Sequence, residues 1–308
     1  MAESVRSSMG NNLRSGLGDP VPKAARLDLP SRRLFSMLLA LAAILLLAWT
    51  VPAQAQEPSP QGTVPGSSHR IFLPAVLRGL DSVPPGSQCP TTSSRSYTPI
   101  PVDGPPADHP DELHGDLNLA LRGYQATSAA LGIVDINGGS DPNAPQMPGL
   151  FADQRTPAFT SVHRVYDWDW SCGEHGCRSS NLTPREVTLL GMGVTPGEAI
   201  SFPSRGPQIY GGGYIVLVLY ASEERITLGY TRRDSVAPGY AVHIEEICVD
   251  ANLLALYRRM NQAGRGQLPA LRNGEILGTA KGSEIRVAVR DRGSFMDPRS
   301  RKDWWKGR

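Results

Sequence analysis

The strongest constraint on the fold is a β-hairpin encoded in residues 211–231, which read GGGYIVLVLYASEERITLGYT. Residues 214–220 are apolar on both faces of an extended chain, which is typical of a central strand that is covered on each side. Residues 221–224 supply a polar turn. Ile226, Leu228 and Tyr230 then alternate with other residues, as expected for a strand that returns beside the first one. This hairpin predicts a buried sheet.

Further short elements extend the sheet. Residues 240–249 predict a third strand, and alternating leucines predict another at residues 117–121. Asp250 is placed to cap a helix over residues 251–263. Short strands punctuated by 27 Pro and 32 Gly predict a mainly β fold, a small barrel or sandwich of short antiparallel strands with one covering helix. A last strand, at residues 284–290, should point three charged side chains outward: Glu284, Arg286 and Arg290.

The N-terminal region carries the features of an export leader. Arg32 and Arg33 precede an apolar run over residues 34–51, and residues 53–55 read AQA, a signal-peptidase cleavage pattern. We therefore expect a leader at residues 31–55 with cleavage after Ala55. Residues 31–35 also resemble a twin-arginine signal, so either export route fits. If uncleaved, the apolar run is long enough to anchor the chain in a membrane.

Composition predicts three regions. Residues 1–55 form a signal peptide with a long N-terminal extension. Residues 56–110 are rich in Pro, Ser and Gly, and such a segment buries too little apolar surface to fold, so it predicts a tether. Residues 111–308 carry the periodic apolar pattern and predict a single β-rich domain outside the cytoplasm.

Residues 161–178, which read SVHRVYDWDWSCGEHGCR, contain the densest group of reactive side chains. One interpretation is a mixed zinc site that combines His163 and Asp167 with a donor from the following loop. The other is a disulfide within that loop, which we favour because thiols outside the cytoplasm tend to oxidise. Four cysteines allow three connectivities. Elimination then gives the pairs Cys172–Cys177 and Cys89–Cys248.

The order of features over residues 187–290 resembles the barrel of lysostaphin-like M23 metallopeptidases. The features are Thr195-Pro-Gly-Glu198, the Gly-rich hairpin, the strand with His243, and Asn273-Gly-Glu-Ile-Leu-Gly278. The resemblance implies a zinc site that cuts cell-wall peptide cross-links. Residues 163–167 have the family's His-x-x-x-Asp spacing, and His243 would stand for an upstream helper.

The resemblance fails where the family places its His-x-His pair. This chain has Glu284-Ile285-Arg286 there, and a protonated guanidinium offers no lone pair to a metal. If the likeness is real, the zinc site is degenerate. A zinc hydrolase would need His163, Asp167 and His243 to converge, with another ligand in place of the missing His.

Three other groups offer chemistry beside simpler explanations. His243 and Glu245 share one strand face and could act as an acid–base pair, although a solvated sheet face explains them as well. Asp167 and Asp169 also share a face and could serve glycoside hydrolysis, but such enzymes usually draw the two carboxylates from different elements. Residues 109–116, HPDELHGD, hold two His and several acids, which favours a solvated loop over a metal site.

The C-terminal tail reads RSRKDWWKGR. Two Trp planes beside cations could bind a glycan or an anionic envelope polymer. The alternative is that the indoles pack on the domain and leave the charges in water. The candidate ligand-binding residues are Trp304, Trp305, Arg301 and Lys302.

These features favour a non-catalytic function. The charge is nearly balanced, with 31 basic and 29 acidic residues, so nothing points to nucleic acid. The chain lacks a Gly-x-Ser-x-Gly nucleophile motif. We expect an exported binding or structural module of the cell envelope, without a cofactor, that contacts wall glycan, wall peptide or another envelope component. The alternative is a zinc-dependent hydrolase of the M23 type acting on cell-wall peptide cross-links.

Overall fold

A long antiparallel sheet dominates the structure, a computed structural model that describes residues 89–308. Three helices are present in this region: α1 Leu119–Arg122, α2 Ala251–Gln262 and α3 Arg301–Trp304. The strands are, in chain order, β1 Thr98–Pro101, β2 Tyr124–Ala126, β3 Phe159–Asp169, β4 Cys177–Leu182, β5 Leu189–Gly193, β6 Ala199–Ile200, β7 Tyr214–Ala221, β8 Arg225–Gly229, β9 Tyr240–Glu245, β10 Ile247–Val249, β11 Gln267–Arg272, β12 Gly278–Ala280, β13 Glu284–Asp291 and β14 Ser294–Met296.

The strands form two sheets. The larger has the order β1-β11-β7-β8-β9-β13-β5-β3-β2, with β14 added beside β13 and β4 beside β3; the smaller has the order β10-β12-β6. All the strand pairs in these sheets are antiparallel. The predicted mainly β class is confirmed. Two sheets are compatible with the sandwich alternative, and the larger sheet does not close into a barrel within residues 89–308.

The hairpin and the covering helix form where the sequence predicts them. Every residue of β7 is buried, and β8 pairs with it in the expected antiparallel register. The Asp250 carboxylate accepts backbone N–H bonds from Asn252 at 3.0 Å and Leu253 at 3.4 Å, which caps α2. Such a cap stabilises a helix by about 1 kcal/mol. The buried face of α2 packs against β7 and β11.

Two predicted strands differ from the structure. The strand over residues 240–249 is interrupted at Glu246, which has a φ of 64° and separates β9 from β10. Residues 117–121 form no strand. Leu117 and Leu119 are buried, and the chain enters helix α1 at Leu119. The apolar spacing was compatible with either structure, and tertiary packing decided for the helix.

The domain begins earlier than the sequence predicts. β1 pairs with β11 along four residues, and Ile100 belongs to the main core. A disulfide joins Cys89 to Cys248. The C-terminal part of the predicted tether, residues 89–110, is therefore part of the folded domain. The predicted leader and residues 56–88 lie outside the described residues. None of the helices between residues 89 and 308 combines the length and the apolar composition needed to cross a bilayer.

The central strands have a covered second face. The main core lies on one side of β9, β13, β5 and β3, and a smaller cluster lies on the other. This second cluster consists of Leu119, Val165, Leu189, Ala288 and Phe295, with Tyr124 packed against it. On this second face, the strand side chains therefore pack against Leu119, Tyr124 and Phe295 instead of pointing into water.

Candidate functional site

An arginine-lined cleft of about 420 Å³ opens beside this second cluster. Its walls come from the end of α1, the end of β3, the loop after β4 and the hairpin of β13 and β14. The hairpin turn consists of Arg292 and Gly293, with φ values of 46° and 79°. Positive φ at both central residues is the geometry that matches the twist of paired strands. The side chains that determine the chemistry of the cleft are Arg122, Asp167, Trp168, Arg185, Arg290 and Phe295.

Two buried guanidinium groups in the cleft share one carboxylate. Arg122 Nη2 lies 2.5 Å from Asp116 Oδ1, and Arg290 Nη1 lies 2.7 Å from the same oxygen. Burial opposes the ionisation of Asp116, but the two guanidiniums outweigh it and hold the pKa of that carboxyl below its ordinary value. Burial lowers the pKa of Arg290 to about 10, so this side chain stays charged at neutral pH.

The cleft carries an excess of positive charge. Arg122, Arg185 and Arg290 face it, against the carboxylates of Asp116 and Asp167, which leaves three positive charges to two negative ones. Arg122 and Arg290 are 5% and 4% exposed, so water screens them weakly. Arg185 is exposed at the rim. The arrangement can attract an anion to the mouth of the cleft.

Phe295 fixes the positions of the two buried guanidiniums. The Arg290 Cζ lies 4.6 Å from the centre of the phenyl ring, and the Arg122 Cζ lies 5.3 Å from it. These are cation–π distances. Backbone carbonyls accept from the two Nε atoms: Arg122 Nε donates to Gly115 O at 2.7 Å, and Arg290 Nε donates to Gly293 O at 2.8 Å. The guanidiniums are therefore held before any ligand arrives.

His243 lies behind Phe295 and not in a solvated face. The two rings are stacked at 6.0 Å, and His243 is 1% exposed. Thr227 Oγ1 donates to Leu117 O at 2.6 Å, so it accepts from His243 Nδ1 at 2.9 Å. The Nε2 atom of His243 has no hydrogen-bond partner. Burial, with the nearby guanidiniums, lowers the pKa of His243 well below its ordinary value, so the ring is neutral.

Glu245 is buried too, and the predicted solvated face for both residues is wrong. One Glu245 oxygen has no hydrogen-bond partner, and the nearest cation is Arg225 Nε at 3.5 Å. Burial raises the pKa of this carboxyl. No hydrogen bond joins Glu245 to His243, so the structure does not form the predicted acid–base pair. Arg290 was likewise expected to point outward, and it is buried.

The three predicted zinc ligands do not converge. The register aligns His243 with Ala288, Leu189 and His163 across β9, β13, β5 and β3. Three strand spacings separate the backbones of His243 and His163 by about 14 Å, and the four steps along β3 from His163 to Asp167 span about 13 Å. Among residues 89–308, no group of three or more His, Cys, Asp and Glu side chains is placed to hold one metal ion.

The other candidate residues have structural roles in the domain. Cys172 and Cys177 form a disulfide, as favoured from the sequence, so neither thiol is free for zinc. Asp169 accepts from Ser171 at 2.6 Å at the exposed end of β3, whereas Asp167 lines the cleft. The two carboxylates therefore occupy different surroundings, unlike the facing pair that glycoside hydrolysis requires.

The tail does not present its aromatic planes to a ligand. Trp304 and Trp305 are 2% and 0% exposed, and their indole N–H groups donate to Asp297 O and Pro298 O at 2.9 Å each. The predicted binding role of these two residues is therefore wrong. Arg301 binds Asp135 at 2.8 Å, and Lys302 binds the Gly139 carbonyl at 2.7 Å, so both cations hold the tail to the domain.

Few sequence signals pointed to the cleft. Asp116 and Arg290 are 174 positions apart, and Arg122 follows a segment that was predicted to be a strand. No local signal marked Arg290 as buried, because it lies on the opposite strand face from Val287 and Val289. Comparisons with protein-family models, curated proteins and solved structures gave no match for this chain. The resemblance to the M23 family stays a prediction.

Proposed function

We propose that this protein is a non-catalytic binding module of the cell envelope that takes a carboxylate of cell-wall peptide in the arginine-lined cleft. The observation that carries this proposal is the sharing of Asp116 by two buried guanidiniums, with Arg185 exposed at the rim. An incoming carboxylate would supply the missing negative charge. Because the excess positive charge of the cleft selects anions, the proposed ligand is wall peptide and not neutral glycan.

The surroundings of the cleft suit binding better than turnover. The Phe295 ring and the guanidinium planes form fixed walls, which suit a planar carboxylate. The His243 imidazole is sealed behind Phe295 and offers no reacting atom to a ligand. Two disulfides support a location outside the cytoplasm, where wall peptide would be the neighbouring polymer. A degenerate M23-like ancestry would fit the same location.

Binding to isolated cell walls tests the proposal with one variant and one control. Arg185→Gln removes an exposed charge at the rim, and we expect roughly tenfold weaker retention, because a hydrogen bond to a charged group contributes about 1.5 kcal/mol. Arg258→Gln makes the same change on α2, outside the cleft, and should bind like the wild type. Equal retention of all three proteins would refute the assignment of the cleft.

The same assay tests the absence of catalysis. Walls incubated with the wild-type protein should release no more peptide fragments than walls incubated with buffer. Fragment release that depends on added zinc would contradict the non-catalytic part of the proposal and support the hydrolase alternative.

A further inference from the structure

Three of the chain's six histidines meet around Trp170, beside the wall of the cleft that Trp168 forms. His109 is stacked on the indole at 5.2 Å with an angle of 12°, and His114 contacts the same ring edge-on at 5.0 Å. His175 lies edge-on to His109 at 5.5 Å. Residues from two separate segments therefore form one histidine cluster, which we define as His109, His114, His175 and Asp108.

Two of these imidazoles point the same ring atom at each other. His109 Nδ1 and His175 Nδ1 are 3.4 Å apart. Two nitrogens bound to one tetrahedral zinc at about 2.0–2.1 Å lie about 3.3–3.4 Å apart. The observed separation is thus the separation that two imidazole ligands of one metal ion require.

A carboxylate lies on the opposite side of His109. Asp108 Oδ2 lies 3.8 Å from His109 Nε2, and Asp108 Oδ1 lies 3.4 Å from His114 Nε2. These are contacts of ion-pair length and not hydrogen bonds, so Asp108 places a negative charge beside the two Nε2 atoms. A carboxylate on that side of a metal-bound imidazole supports metal binding from the second shell.

The two rings are held before metal binds. His175 sits in a loop closed by the Cys172–Cys177 disulfide, and Trp170 packs flat against His109. His109 is about one quarter exposed, so an ion can enter from solvent. Because the ligands are preorganised, little ordering entropy opposes binding.

From this geometry we propose that His109 and His175 bind a divalent transition-metal ion through their Nδ1 atoms. Imidazole nitrogens suit zinc, copper and nickel, whereas calcium and magnesium prefer oxygen. Water completes the coordination, because no third donor in residues 89–308 reaches the same point. The site lies next to the anion cleft, because the Asp116 N–H donates to His114 Nδ1 of the cluster at 3.2 Å. It joins the loop at His109 to the disulfide loop.

Calorimetric titration of the oxidised full chain with zinc tests the site. We expect one saturable site for zinc and none for calcium. His109→Gln and His175→Gln should each weaken zinc binding at least tenfold, and Asp108→Asn should weaken it about tenfold through the second shell. His163→Gln is the matched control, because that histidine lies on β3 beside Tyr124, outside the cluster. Its zinc affinity should equal that of the wild type.

A second measurement needs no variant. Nitrogen NMR of the wild-type histidine rings should show zinc-dependent shifts of the Nδ1 signals of His109 and His175 but not of His163. Zinc affinity that survives both Gln substitutions, equal calcium binding, or ring signals that zinc does not move would overturn the proposal. The last result would leave a hydrogen-bonded imidazole pair only.

Discussion

Replacing Asp116 by Asn tests the electrostatic account of the cleft. The substitution keeps the shape but removes the one carboxylate that Arg122 and Arg290 share at 2.5 and 2.7 Å. Each hydrogen bond to a charged group contributes about 1.5–3 kcal/mol, and an amide oxygen retains roughly 1 kcal/mol of each, so the expected loss of unfolding free energy is about 3 kcal/mol. For a domain of this size that loss lowers the Tm by about 10 °C.

The pH dependence of the unfolding free energy provides a second test of the same substitution. The pKa of Asp116 is lowered in the folded protein, so its contribution is fully present above the unfolded value of about 4 and is lost as the pH falls through the folded value. The Asn variant should therefore lose less stability between about pH 4 and pH 2 than the wild type does.

Urea unfolding followed by Trp fluorescence measures both effects. Asp103→Asn is the control, because Asp103 forms an exposed ion pair with Arg232 and should cost no more than about 1 kcal/mol. An Asp116→Asn protein as stable as the Asp103→Asn protein would refute the reasoning, since two buried guanidiniums would then tolerate the loss of their only shared carboxylate.

Three further predictions follow from the same structure. Cys89→Ser should lower the unfolding free energy more than Cys172→Ser in urea titrations, because loop-entropy estimates give about 5 and about 2 kcal/mol for loops spanning 159 and 5 residues; equal losses would contradict it. The His243 ring, which faces Arg290, Arg122 and Asp116, should stay neutral in NMR titrations well below the usual pKa of histidine, and titration near that usual value would show that it is not sealed. Because the pKa of His243 is lowered in the folded protein, its contribution to stability is present above about pH 6.5 and is lost as the pH falls below that value. An unfolding free energy that does not change with pH in that range would contradict the prediction. Asp250→Ala should lower the Tm by about 3 °C through loss of the α2 cap, and an unchanged Tm would show that the cap contributes little.

Local patterns in the sequence predicted the elements that local interactions determine. The β7–β8 hairpin has two apolar runs joined by a short polar turn, and α2 has a capping Asp250 with an apolar face. The strand predicted at residues 117–121 was wrong, because alternating leucines fit either a strand or a turn that leads into a helix. Only packing against β3 and β13 distinguishes the two.

The chemistry of the site depended on long-range packing that no local pattern records. The period of a strand assigns His243, Glu245 and Arg290 to a face of the sheet, but it does not reveal that Leu119, Tyr124 and Phe295 pack on that second face. For the same reason the tail indoles could not be assigned to the core from sequence. The disulfides were predictable from the expected location outside the cytoplasm, because thiols there tend to oxidise.

The most direct test of the binding account is NMR of the arginine Nε–H groups during titration with a wall peptide that ends in a free carboxylate. The account predicts saturable shifts of the Arg122 and Arg290 signals with this peptide and none with the same peptide amidated at its end. Equal shifts with both peptides, or no shift with either, would contradict the claim that the cleft recognises a carboxylate.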